Sequence, residues 1–146
     1  MIRQWRSHLH YQSNLLSQLS VIARSDPDLL QYHESEINAL YWLDLDPVGD
    51  LVASRYSVTG APARLQVELF RSFLLMSRCR VFSIPAWVRK LAASPLLRAL
   101  AGYLPGEKIH QVGSYYDLVN RIWCADRAVE HDFEHSLHPT SRKPSR

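Results

Sequence analysis

Seven cations fall between positions 64 and 98. Arg64, Arg71 and Arg78 recur at every seventh residue, and Arg80, Arg89, Lys90 and Arg98 follow. Glu68 is the single acid among them, so the block carries +6. Guanidinium and ammonium groups on a rigid frame do one kind of chemistry well, which is to pair with anionic oxygen, above all the phosphates of nucleic acid. The first 50 residues are balanced the other way, with Arg3, Arg6 and Arg24 against seven acids, a net of −4. In a chain whose overall charge is only +3, such blocks mark either a footprint for an anionic partner or a solvated face.

A second constellation sits near the end. His131, Glu134 and His135 spell H-x-x-E-H, in which two histidines one helical turn apart can share a zinc ion while the glutamate polarises a water. A third protein ligand on a firm scaffold is still needed, and only eleven residues follow His135. His138 is near but precedes a proline in a polar tail, so the motif reads as a chance match. No metal and no other cofactor is expected. His8 and His10 have no partner at useful spacing. Asp26, Asp28, Glu34, Glu36, Asp44, Asp46 and Asp50 crowd the N-terminal third without a Ser-His-Asp, Walker or dinucleotide-binding pattern, and no catalytic residue is assigned. Cys79 and Cys124 lack C-x-x-C spacing and read as buried thiols in a reducing cytoplasm. The N-terminus, M-I-R-Q-W-R-S-H-L-H, has no apolar leader segment. No run approaches the roughly 18 apolar residues of a membrane span, so no membrane partner is expected.

Helix-start signals set the frame for these residues. Asp26-Pro27, Asp46-Pro47 and Ser94-Pro95 each place a capping side chain before a proline at the first helical position, and Ser83 leads Ile84-Pro85 in the same manner. Ser114 and Asp117 stand at capping-box spacing. The pattern predicts an all-α domain of six or seven helices over residues 1–135, with 136–146 a disordered basic tail. The first helix spans about Gln4 to Arg24. The strongest covers about Arg64 to Arg78, with Leu65, Leu69, Phe70, Phe73, Leu74 and Met76 on its apolar face and Arg64, Arg71 and Arg78 as one stripe opposite. Two short helices follow at about Ile84–Ala93 and Pro95–Ala101, the latter closed by Gly102. Their brief connections suit a helix-turn-helix-like middle segment. A last helix from Ser114 buries Tyr115, Leu118, Val119 and Ile122, leaving Asp117, Asn120 and Arg121 outside. Trp87 and Trp123 lie on apolar faces and are expected in the core. Of the adjacent tyrosines 115 and 116, one is expected inside and one at the rim.

This order of elements, L-Q-V-E-L-F-R-S-F-L-L-M, then S-I-P-A-W-V-R-K-L, S-P-L-L-R-A-L-A-G-Y and V-G-S-Y-Y-D-L-V-N-R-I-W, resembles the N-terminal region of bacterial insertion-sequence transposases of the DDE type. The resemblance covers well under half of such a protein, and the family places its metal-binding acids after the matched region. It implies a bacterial, nucleoid-associated protein that recognises the element's terminal inverted repeats in double-stranded DNA, without catalysis of its own. The DNA-facing residues it suggests are Arg71, Arg78, Arg80, Arg89, Lys90, Arg98 and Arg121. A second copy or a full-length transposase is a further expected partner. The T-S-R-K-P-S-R tail reads as the start of a connector, which fits a truncated element. The alternative reading is a helical interaction or oligomerisation domain that touches DNA little.

Overall fold

The computed structural model describes residues 6–53 and 64–122, and within them every regular element is a helix. The order is α1 (His8–Ser25), α2 (Pro27–Tyr32), α3 (Glu34–Trp42), α4 (Asp46–Ala53), α5 (Gln66–Arg78), α6 (Ile84–Ala93) and α7 (Pro95–Ala101). An eighth helix, α8, covers residues 112–122. The all-α reading therefore holds. Trp123, Cys124, the H-x-x-E-H motif and the tail lie outside the described residues.

Local capping chemistry explains four of the eight helix starts among the described residues. Ser7, Asp26, Ser83 and Ser94 each accept the backbone N–H three residues on, at 3.1, 3.2, 3.3 and 3.3 Å. Each satisfies one of the donors that a first turn leaves without a partner. α3 and α5 start without a side-chain cap, and Asp46 departs from its expected role. Its carboxylate accepts the N–H of His8 at 3.0 Å, and its own N–H is held by Asp44 at 2.9 Å. The Asp-Pro pair thus ties α4 to the start of α1 instead of capping its own helix. The last helix also starts earlier than expected, since Ser114 already donates its N–H to the Gln111 carbonyl and lies inside it.

α7 is the hub. It packs on α1, α3, α5 and α6, and five of its seven residues, Leu96, Leu97, Ala99, Leu100 and Ala101, are buried. Gly102 closes it in the left-handed region at φ 102°, where glycine carries no steric penalty. The core joins these residues to Tyr11 and Leu15 of α1, Leu40 of α3, Leu69 and Leu75 of α5, and Trp87 and Leu91 of α6. Tyr115 and Leu118 of α8 complete it. Trp87 is in the core as expected, and Tyr115 is buried while Tyr116 is half exposed. In the interior Trp87 Nε1 donates to Ser72 Oγ at 2.9 Å, and Ser72 Oγ lies 2.6 Å from the Tyr115 hydroxyl. Three polar groups from α5, α6 and α8 thereby satisfy one another where no water reaches.

The face of α5 differs from the expected one. Gln66, Val67, Glu68, Leu69, Arg71, Ser72 and Leu75 are buried, whereas Phe70, Phe73, Leu74 and Met76 are only partly so. α3, α4 and α7 cover this helix, and Phe73 meets Tyr115 of α8 edge-on with ring centroids 5.0 Å apart. A helix surrounded in this way has no free polar side along its first half. Val119 of α8, expected inside, faces outward, and Leu9, Leu16 and Val21 of α1 and Trp42 of α3 are exposed as well.

Candidate functional site

The three arginines spaced by seven have three different surroundings. Arg71 is only 2% exposed. Its guanidinium carbon lies 3.7 Å from the centre of the Tyr11 ring, a cation–π contact in a desolvated place. Burial lowers its pKa, with Tyr11 and Glu68 acting the other way. The neighbouring Glu68 carboxyl is raised by burial, with its own backbone N–H, Arg71 and Arg6 opposing. Arg6 Nη1 stands 3.7 Å from Glu68 and donates to the Gly102 carbonyl at 3.0 Å, while its other terminal nitrogen bonds Glu107. Tyr11 donates its hydroxyl to the Leu100 carbonyl at 2.7 Å, and burial pushes its pKa up to about 12. This cluster locks α1 and α5 to the end of α7. The expectation of an exposed Arg64–Arg71–Arg78 stripe fails at its middle member, because α5 is covered on that side.

The C-terminal end of α5 is different. Arg78 is exposed and donates to Ser35 Oγ of α3 at 2.9 Å. The helix then closes with Arg80 N–H on the Ser77 carbonyl at 3.0 Å and Val81 N–H on the Met76 carbonyl at 3.1 Å. This closure puts Arg80 in the left-handed region at φ 56°, the place that glycine usually takes. Val81 turns inward against the core. Phe82 turns outward and is 86% exposed. Ser83 then opens α6, whose Trp87, Val88 and Leu91 are buried while Arg89 and Lys90 are exposed. The Cys79 thiol is half-buried, and burial raises its pKa. Glu36 adds to that rise, and Lys90 and Arg78 oppose it. Both cations and one acid of α3 thus gather around the turn.

Arg98 has a structural task. Its guanidinium reaches back to the Leu91 carbonyl at 3.2 Å and to the Ala92 carbonyl, closing the C-terminal end of α6. Arg121 pairs with Asp117 at 3.0 Å, as its i, i+4 spacing predicts. It does not join the other cations on α6. It lines an open cleft of about 920 Å³ together with Arg64, Lys108, His110, Gly113 and Ser114.

The expected DNA-facing set therefore divides. Arg78, Arg80, Arg89 and Lys90 occupy the end of α5, the turn and α6. Arg71 is interior, Arg98 caps a helix, and Arg121 belongs to the cleft. Phe82 and Lys108 were not singled out from sequence. An apolar residue between a cysteine-arginine turn and a capping serine does carry a signal, but Lys108 has none. Comparison with family models, with curated proteins and with solved structures finds no match.

Proposed function

We propose that this domain binds double-stranded DNA, mainly through phosphate, with the surface formed by the C-terminal end of α5, the turn that follows and α6. Arg78, Arg80, Arg89 and Lys90 are the cations of that surface, and Phe82 is an apolar ring among them. The observation that carries the reading is the turn itself. A non-glycine residue in the left-handed region costs roughly 1–2 kcal/mol. Such outliers are a reason to look for function. Among the described residues two non-glycine residues have positive φ, Leu65 at 50° and Arg80 at 56°. The one on this surface is an arginine beside an outward phenylalanine, on a backbone fixed at both ends by α5 closure and the Ser83 cap. Charge and an exposed ring on a rigid turn suit backbone contact with a ring at a base step.

On this reading the chain acts as the recognition part of a transposase-like protein on terminal inverted repeats, without strand chemistry of its own. Binding of a duplex, followed by fluorescence anisotropy as salt is raised, tests it. Each phosphate neutralised contributes about 0.9 to the slope of log affinity against log salt, so four cations give a slope of about −3 to −4. A flat salt response rejects the proposal. The competing reading, a helical interaction module, draws on an apolar groove lined by Phe70, Phe73, Leu118, Val119 and Ile122. It predicts self-association in sedimentation and no salt-dependent DNA binding.

A further inference from the structure

We infer that the cleft between the start of α5, the α7–α8 connection and the first turns of α8 is a second anion site, built to hold a phosphate group. Three cations line it, Arg64, Lys108 and Arg121, against one acid, Asp117, which pairs with Arg121, so the lining carries a net charge of +2. Its volume of about 920 Å³ leaves ample room for a phosphate and its ester substituents.

The wall is held in place by a neutral histidine. His110 Nε2 lies 2.6 Å from the Arg64 carbonyl, an acceptor, so this nitrogen carries the proton. Nδ1, 2.6 Å from the Tyr103 hydroxyl, must then accept from it. The same hydroxyl takes the His110 backbone N–H at 3.3 Å. Every group in the chain has one consistent role. It fixes the backbone of Arg64 beside the loop that carries Lys108, so two cations distant in sequence share one wall. At Gly113 nothing lies within 4 Å of where a Cβ would stand, so an anion can approach the backbone of the first turn of α8. The Ser114 side of that turn also lines the cleft.

The cleft and the α5–α6 turn lie at opposite ends of α5. The twelve steps of α5 from Gln66 to Arg78 correspond to about 18 Å at about 1.5 Å per residue, or about five base pairs of duplex at about 3.4 Å each. The phosphate could belong to a nucleic-acid backbone or to a free phosphorylated compound. Only the first source rests on the proposed DNA-binding function.

The test uses the full chain with two probes, inorganic pyrophosphate by isothermal titration and a short duplex by anisotropy. It uses two variants, Arg64→Gln/Lys108→Gln and Gly113→Val. The double variant removes charge, and the valine fills the open floor without changing charge. If duplex phosphate occupies the cleft, the double variant lowers the salt slope by about 1.8, at about 0.9 per contact, and Gly113→Val weakens duplex binding as well. If a free phosphate occupies it, pyrophosphate binds the wild type, both variants lose it, and duplex binding stays unchanged. Pyrophosphate binding in a wild type that ignores duplex supports the cleft while rejecting the DNA reading. Duplex binding that both folded variants leave untouched, with no pyrophosphate binding, overturns the cleft and spares the DNA reading. A wild type that binds neither probe overturns both.

Discussion

The middle of α5 and its C-terminal end are seven residues apart and carry the same side chain, yet the two arginines are in opposite physical situations. Arg71 is stripped of water, lies on a tyrosine ring and shares its interior with Glu68. Arg78 is in solvent, held lightly by a serine hydroxyl, beside Arg80 and the exposed Phe82. A buried charge is tied to the stability of the fold, because removing one member of such a group leaves the others unpaired in low dielectric. An exposed cation adds little to stability and is free to meet an anion. Identical residues on one heptad stripe therefore stand in different physical surroundings, and what separates them is the covering of α5 by α3, α4 and α7.

The largest expected effect breaks this comparison at its buried member. Arg71→Ala should destabilise the domain by about 3–5 kcal/mol, toward the low end because Arg6 still faces Glu68. Chemical denaturation measures it. If the variant unfolds at the wild-type denaturant concentration and instead loses affinity for duplex, Arg71 is a surface residue and the division drawn between the two ends is wrong.

A second prediction concerns the histidine that anchors Arg64. Burial lowers the pKa of His110 from 6.5 to about 4, with the Arg64 carbonyl bond opposing and the Arg64 charge adding to the fall. The unfolded chain, with an ordinary histidine, takes up its proton first as the solution is acidified. Stability is therefore full above about pH 6.5 and declines as pH falls toward 4, by at most about 3 kcal/mol at 1.36 kcal/mol per unit. Glu68, raised by burial, acts in the opposite direction. Urea midpoints across this range should fall more steeply with acid in the wild type than in His110→Gln. The same acid dependence in both proteins contradicts the neutral assignment.

The smallest stability effect concerns Arg80 and sharpens the other side of the comparison. Arg80→Gly relieves the left-handed residue and should raise stability by about 1 kcal/mol, while reducing the salt slope of duplex binding by about 0.9. Thermal denaturation and anisotropy on the same sample read both. A loss of stability would mean that the arginine side chain supports the turn.

Much of the frame was legible in the sequence. The Asp26-Pro27, Ser83-Ile84-Pro85 and Ser94-Pro95 starts and the glycine stop at 102 are local chemistry, so they survive in the fold. Trp87, Tyr115 and the Asp117–Arg121 pair were legible because helical spacing fixes which residues are neighbours. What could not be read is which neighbour covers a face. A wheel places Arg71 opposite Phe70 and Phe73, but only the packing of other helices shows that both sides of α5 are enclosed. Asp46 looked like a cap because its partner, the N–H of His8, lies 38 residues away. Arg98 looked free because two carbonyls at the end of the preceding helix are invisible in a charge count. The cleft joins Arg64 to Lys108 through a histidine bonded to a backbone oxygen, and no spacing rule announces that.

The exposed cations around the α5–α6 turn are proposed to engage phosphate, while Arg71 and Arg98 support the fold. The direct measurement is the salt dependence of duplex affinity for two variants compared with the wild type, Arg80→Ala/Arg89→Ala/Lys90→Ala and Arg98→Ala. The triple variant should keep its stability within roughly 0.5 kcal/mol and lose two to three units of slope, at about 0.9 per contact. Arg98→Ala should leave the slope unchanged, because its guanidinium is spent on the Leu91 and Ala92 carbonyls. An unchanged slope in the folded triple variant, or an equal loss in Arg98→Ala, would contradict that division.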